Sequence, residues 1–247
     1  MHTGNRLSII IGLAALLPTI ASAQGDDADA RAGHETEERK RILWIIPNYR
    51  TSPTLKDYQP LGVKQKFAIA SQDALDPGTF VLAGLFAAEG QLTTAAPSFG
   101  GGLAASSKYY AASLTDFVVG DLMTEAIYPS LLRQDPRYFR RGTGGGLARL
   151  GSALGQIVWT HTDRGGSQFN VSEIVGNATA VGIGNAYYPD NRTLSSNVSK
   201  LLIQLGVDAA SNVLKEFAPD LDRLFSRKPL ARSRAPKAST VPGSEGI

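Results

Sequence analysis

The sequence predicts an all-α fold: a helical bundle of about six or seven helices with an irregular N-terminal strap and disordered tails. Three observations lead there. Apolar side chains recur at intervals of three and four through six separate segments, the spacing of one helix face. Prolines, Asp-Pro pairs and glycine clusters punctuate those segments. Sustained period-two alternation is almost absent, whereas an outer-membrane β-barrel needs alternating segments of about ten residues.

The first 25 residues, MHTGNRLSIIIGLAALLPTIASAQG, combine a positive Arg6, an apolar run and Ala21-Ser22-Ala23. That pattern reads as a secretory signal peptide cleaved after residue 23. Residues 24–40 form an acidic segment carrying Asp26, Asp27, Asp29, Glu35, Glu37 and Glu38. Residues 41–222 are the expected helical domain, and 223–247 a basic tail rich in Pro, Ser and Gly. Both flanks have the composition of disordered chain.

The strap, RILWIIPNYRTSPTLKDYQP, opens with Trp44, Ile45 and Ile46 as an apolar anchor and then carries Pro47, Pro53 and Pro60. Proline removes a donor and restricts its predecessor, so an extended, irregular course is expected. Residues 61–75 read as a helix with Phe67, Ala70 and Ala74 inward, stopped by Asp76-Pro77. Residues 79–96 form an unusually apolar second helix ended by Pro97, and Gly100-Gly101-Gly102 a flexible link. The stretch 103–134 is a long helix broken near Gly120 or Pro129. Residues 147–160 place Leu150, Leu154, Ile157 and Val158 on one face; 161–166 is a turn. Helices over 170–188 and 195–217 follow, the last capped by Ser195 or Ser196 with Pro219 just past its end. Small residues recur every fourth position at Gly151/Gly155, Gly176/Ala180/Gly184 and Gly206/Ala210. Such ridges suit close packing in a soluble bundle and in membrane helix pairs alike.

Of the 247 residues, 43% are hydrophobic and 19% charged, a globular balance. No cysteine is present, which excludes disulfides, a thiol nucleophile and thiolate metal sites. A net charge of +3 is too mild to argue for nucleic acid as a partner. With three histidines, two of them outside the expected core, a three-histidine zinc site is excluded within one domain. No metal or other cofactor is expected.

Catalytic candidates are few. His161, in WTHTDRGG, is the histidine a Ser-His-Asp hydrolase would have to use, and no G-x-S-x-G elbow accompanies it. Asp121 and Glu125, four residues apart on one helix face, and Asp135 are candidate acid/base carboxylates. Glu173 with Asn177, and Asp208 with Asn212, make further one-face pairs which with Lys215 would form a buried polar network. Paired charges of this kind either register helices or line a site; both readings stay open.

The segment 130–146 gathers Arg133, Arg137, Arg140 and Arg141 around Tyr138, ahead of a glycine loop that opens onto a helix. Guanidinium forks match phosphate and carboxylate geometry, and a glycine loop at a helix start offers backbone donors to an anion. Anionic lipid headgroups are the functional option; arginines capping helix ends are the structural one. The sequons at Asn170, Asn177, Asn191 and Asn197 fall mostly inside predicted helices and read as coincidence.

Three strings stand out together: SLLRQDPRYFRRG, GNAYYPDNRT and NVLKEFAPD. The chain resembles an uncharacterised family of exported bacterial proteins that carry QDPRYFR, NAYYP and LKEF-x-PD in this order. The resemblance covers most of the mature chain, from IIPNYRTSP to Asp222. It implies a bacterial envelope setting and marks Asp135, Arg137, Tyr138, Tyr187, Tyr188, Lys215 and Glu216 as defining positions, and it carries no activity.

The expectation is therefore a non-enzymatic helical protein of the cell envelope, periplasmic or outer-membrane-associated, meeting a membrane surface or anionic envelope lipid. A hydrolase or transferase acting on lipid or phosphate is the alternative, with an integral helical membrane component as a third. The sequence sets no oligomeric state.

Overall fold

The computed structural model describes residues 58–225 and three two-residue strands before them: β1 (Arg41–Ile42), β2 (Ile46–Pro47) and β3 (Thr51–Ser52). The expected signal peptide, acidic segment, basic tail and the anchors Trp44 and Ile45 lie outside the described residues. The strap is more regular than its prolines suggest. β1 and β2 pair antiparallel, and β3 pairs in parallel with β4 (Tyr138–Phe139), so Thr51 faces Tyr138 and Ser52 faces Phe139.

The bundle is all-α as expected, with six helices among the described residues if the long bent one counts once. α1 (Val63–Ala74) starts at Gly62, whose N–H donates to the Gln65 side chain at 2.8 Å. Its inward face is not the predicted one. Ala70 and Ala74 are buried, but Phe67 is exposed and Lys66 takes its place inside at 1% exposure. Asp76-Pro77 does more than end α1. Asp76 accepts from Gly78 N–H at 2.7 Å and Pro77 occupies the first turn, so the pair begins α2 (Pro77–Leu92).

α3 (Gly102–Asp121) runs back along α2, and Gly90 lets the Tyr109 ring approach its backbone. The Tyr109 hydroxyl accepts from Ala96 N–H and donates to Ala96 C=O, both at 3.0 Å, tying the connecting loop down. α3 then passes into a π-helical turn (Leu122–Ile127) and α4 (Tyr128–Leu132). The break thus falls between Gly120 and Pro129. Pro129 has no N–H for the carbonyl of Glu125 and its ring crowds that oxygen, which a widened turn relieves.

α5 (Gly146–Gly155) is shorter than predicted. Its buried residues are Arg149 and Ala153, while Leu154 and Val158 are exposed. The segment expected as helix end and turn is a hairpin, β5 (Trp159–His161) against β6 (Ser167–Phe169), with Gly165 at φ 79° in its turn. α6 (Val171–Gly184) is capped by the Asn170 side chain, which accepts from Glu173 N–H. α7 (Leu194–Phe225) is capped by Thr193, not by either serine: its Oγ1 accepts from Ser196 N–H. It also runs through Pro219. A proline there removes the donor for the carbonyl four residues back, that of Lys215; in the same turn the Glu216 C=O accepts from Arg149 Nη2 at 2.7 Å.

α3 packs on α2 and α6, α6 on α7 and the π turn, α5 on α7, and α1 on the π turn. Of the sixteen buried hydrophobic side chains among the described residues, ten are alanine and none is leucine or isoleucine. Buried beside them are Lys66, Gln134, Asp135, Arg149, Glu173, Asn177, Lys215 and Glu216. Large apolar side chains lie outside on most elements, including Phe80, Leu85, Leu92, Leu131, Leu147, Trp159, Phe169, Ile183 and Leu202. Close helix contact through alanine and glycine leaves little room inside for leucine, and this displaces the large side chains outward.

Candidate functional site

Glu216 on α7 organises the arginine and glycine segment. Its side chain is fully buried. Oε2 accepts from the Tyr138 hydroxyl at 2.7 Å and from Arg141 N–H at 2.9 Å. Oε1 accepts from Gly142 N–H and from Arg149 Nε, both at 2.9 Å. Arg149 also reaches Asp220 at 2.7 Å and lies over the Phe217 ring, 4.4 Å from its centroid. Gly142, at φ 67°, permits the two consecutive N–H groups to converge, the concave arrangement that holds anions. Two backbone donors at the entry to the glycine loop, those of Arg141 and Gly142, are thus occupied by the chain's own carboxylate. Burial pushes the Glu216 carboxyl up, but the bonds from Tyr138, Arg149, Gly142 and Arg141 outweigh it and hold it below the ordinary range. Burial and that carboxylate together push the Tyr138 phenol up.

Asp135 centres a second cluster. Arg137 donates to it from N, Nε and Nη2, the last at 2.6 Å, and to Gln59 C=O at 2.7 Å. The Tyr58 hydroxyl lies 2.9 Å from Asp135 Oδ2 and 2.7 Å from Thr162 C=O. The guanidinium also stands near the Tyr58 and Phe139 rings, at 5.5 and 5.4 Å. His161 packs edge-on against Phe139 at 4.6 Å, and burial lowers its pKa while Asp135 opposes that shift. Neighbouring Gln134 accepts from Ser172 N–H at 2.7 Å and donates to Phe169 C=O. Lys66 donates to the carbonyls of Pro129 and Gln134 and to Asp163 at 2.7 Å. Sequence reasoning missed Lys66 because a lysine beside an aromatic on an amphipathic helix reads as the solvent side.

The third group sits between α6 and α7. Asn177 Nδ2 stands 3.0 Å from Glu173 C=O, 3.3 Å from Glu173 Oε1 and 3.1 Å from Asp208 Oδ2. Asn212 and Lys215 are buried on the same side of α7. A water-sized space of about 20 Å³ lies among Asp135, Arg137, Glu173 and Asn212.

The catalytic candidates do not converge. Asp121 lines a larger cavity between α2, α3, α6 and α7; Asp135 borders the water-sized space; Glu125 is buried and lines neither. His161 belongs to the Phe139 contact. Arg137 is held by Asp135, Arg140 is half-buried, and the side chains of Arg133 and Arg141 are exposed. Among the described residues no group of His, Asp and Glu could hold a metal ion, and no helix is long and apolar enough to cross a membrane. Comparison with protein-family models, curated proteins and solved structures finds no match to this chain.

Proposed function

We propose that the chain is a non-enzymatic protein of the bacterial cell envelope that lies on an anionic lipid surface. The observation that carries this reading is the partition of side chains among the described residues: alanine and paired charges within, leucine and Trp159 without. An apolar exterior beside cations matches the boundary between headgroups and acyl chains.

One patch combines both features. Leu131, Leu132 and Arg133 end α4, and Arg133 C=O accepts from Asp163 N–H at 2.9 Å, which places the β5–β6 turn with exposed Arg164 beside them. At the far end of that hairpin Trp159 and Phe169 face each other at 6.4 Å, 55% and 45% exposed. Tryptophan favours the lipid interface, and the arginines lie where phosphate oxygens would meet them. Arg137 contributes to the fold through Asp135, so the headgroup contacts fall to Arg133, Arg141 and Arg164.

Sedimentation with vesicles tests the reading. The purified protein binds phosphatidylglycerol-containing vesicles at low salt and not phosphatidylcholine alone. Replacing Arg133 and Arg164 by Ala weakens binding about thirtyfold, at about 1 kcal/mol for each cation near the surface. A protein that ignores anionic vesicles at low salt sinks the proposal.

A further inference from the structure

The outward side of the α2–α3 pair faces away from the larger cavity and carries no charge. On α2, Pro77, Val81 and Leu85 form one ridge at four-residue steps, and Gly84, Ala88 and Leu92 form the next. On α3 the matching ridges are Leu103, Ser107 and Ala111, then Tyr110, Leu114 and Val118. The Tyr110 ring lies against Gly84, where a Cβ would stand 3.7 Å from it, and its hydroxyl donates to Phe80 C=O at 3.4 Å. The two helices thus present one continuous surface. Val81, Leu85, Leu92 and Leu103 are 51, 61, 86 and 87% exposed on it, with β2 of the strap already beside α2. α2 carries one charged residue, Glu89, and α3 carries three, Lys108, Asp116 and Asp121. Glu89, Asp116 and Asp121 line the cavity on the inner side. Lys108 donates to Phe99 C=O at 3.4 Å, more than a quarter turn round from Ser107.

We infer that this face is the contact with a second copy of the chain, the two α2–α3 pairs meeting across a two-fold axis. Three observations choose that occupant. Near the axis of such a contact each group meets its own copy, so a charge there would face itself; the ridges carry none. Large side chains stand next to small ones, Leu85 beside Ala88 and Tyr110 beside Ala111, which gives the ridges and grooves that a facing helix enters. Together with the small residues, the exposed side chains present on the order of 800 Å², the area each subunit gives to a standard dimer. An anionic surface draws a helix in through cations flanking its apolar side, and α2 has no lysine or arginine. The lipid reading rests on the separate patch around Arg133 and Trp159.

Analytical ultracentrifugation of the whole purified protein, without lipid, tests this. The protein sediments at twice the monomer mass at about 50 µM, well above the micromolar limit for interfaces of this area. Val81→Glu and Ala88→Glu each halve the mass, because the contact would bury an unpaired carboxylate. Both positions are exposed in the single chain and glutamate is a good helix former, so circular dichroism stays helical. Leu147→Glu, at an equally exposed leucine on α5, leaves the mass doubled. A monomeric unmodified protein overturns the inference, as it would if the face took lipid or an unrelated protein. In the lipid case Val81→Glu also abolishes sedimentation with vesicles. A doubled mass that survives both folded α2 variants, or that Leu147→Glu abolishes equally, overturns it as well. Vesicle binding through Arg133 and Arg164 is read separately, so this inference and the lipid reading can each fail alone.

Discussion

The Tyr138 hydroxyl donates to Glu216 Oε2 at 2.7 Å across 78 residues of chain, and the same carboxylate takes the backbone N–H groups of Arg141 and Gly142. This joins two of the three conspicuous sequence strings, the QDPRYFR loop and the LKEFAPD helix, through one buried anion. Glu216→Gln keeps the shape and removes the charge, leaving Arg149 buried beside an amide and dependent on Asp220. Breaking a buried pair from one side costs about 3–5 kcal/mol. Tyr138→Phe removes one bond and costs about 1–3 kcal/mol. Urea denaturation checks both, and equal losses in the two variants would contradict the central place given to the carboxylate.

Stability falls with acid in two windows. His161 has its pKa lowered by burial, so the unfolded chain takes up its proton first. Stability from this source is complete above the unfolded value of about 6.5 and declines as pH falls through the lower folded value. The depressed Glu216 carboxyl acts in the same direction lower down. Its contribution is present above about pH 4.3 and is lost as pH falls through the folded value. Urea midpoints measured against pH should lose the upper window in His161→Gln and the lower one in Glu216→Gln.

Gly176 is the tightest contact of the small-residue ridge on α6. A Cβ there would stand 3.0 Å from Thr124 Cγ2 and 3.2 Å from the Met123 carbonyl carbon and oxygen, which are backbone of the π turn. Gly176→Ala should cost about 1–3 kcal/mol, the range for overpacking. Gly151→Ala and Gly155→Ala meet nothing within 4 Å. Within a helix they should be neutral or gain up to about 1 kcal/mol. Thermal unfolding separates the cases.

Trp159 reports on the lipid reading directly. Brominated anionic lipids should quench its emission, and high salt should restore it as the surface attraction is screened. Trp159→Phe should remove most of the quenching while leaving sedimentation nearly unchanged, since phenylalanine keeps the apolar contact. Emission that stays unquenched in the presence of sedimenting protein would place the hairpin away from lipid.

The legible part of the candidate site was its residue types. Asp135, Arg137, Tyr138 and Glu216 stand in conspicuous strings, and the arginine and glycine loop is recognisable as an anion holder. Its occupant was not legible, because Glu216 lies on another helix and only chain folding brings it there. Lys66 and Gln134 were passed over for a related reason: periodicity assigns polar residues to the solvent face, and here polar residues fill the interior.

By itself the sequence determined the helical class, the positions of the main helices and the bend between Gly120 and Pro129, because hydrophobic spacing and proline act over a few residues. Tertiary structure decided which face of each helix turns inward. Alanine and glycine bring backbones close, so Phe67, Leu154 and Val158 have no space inside and the buried positions pass to Lys66, Arg149 and Ala153. It also carried α7 through Pro219, where Arg149 holds the Glu216 carbonyl and carboxylate from outside the helix in the turn that the proline weakens. Partners distant along the chain set both outcomes, and local pattern contains no record of them.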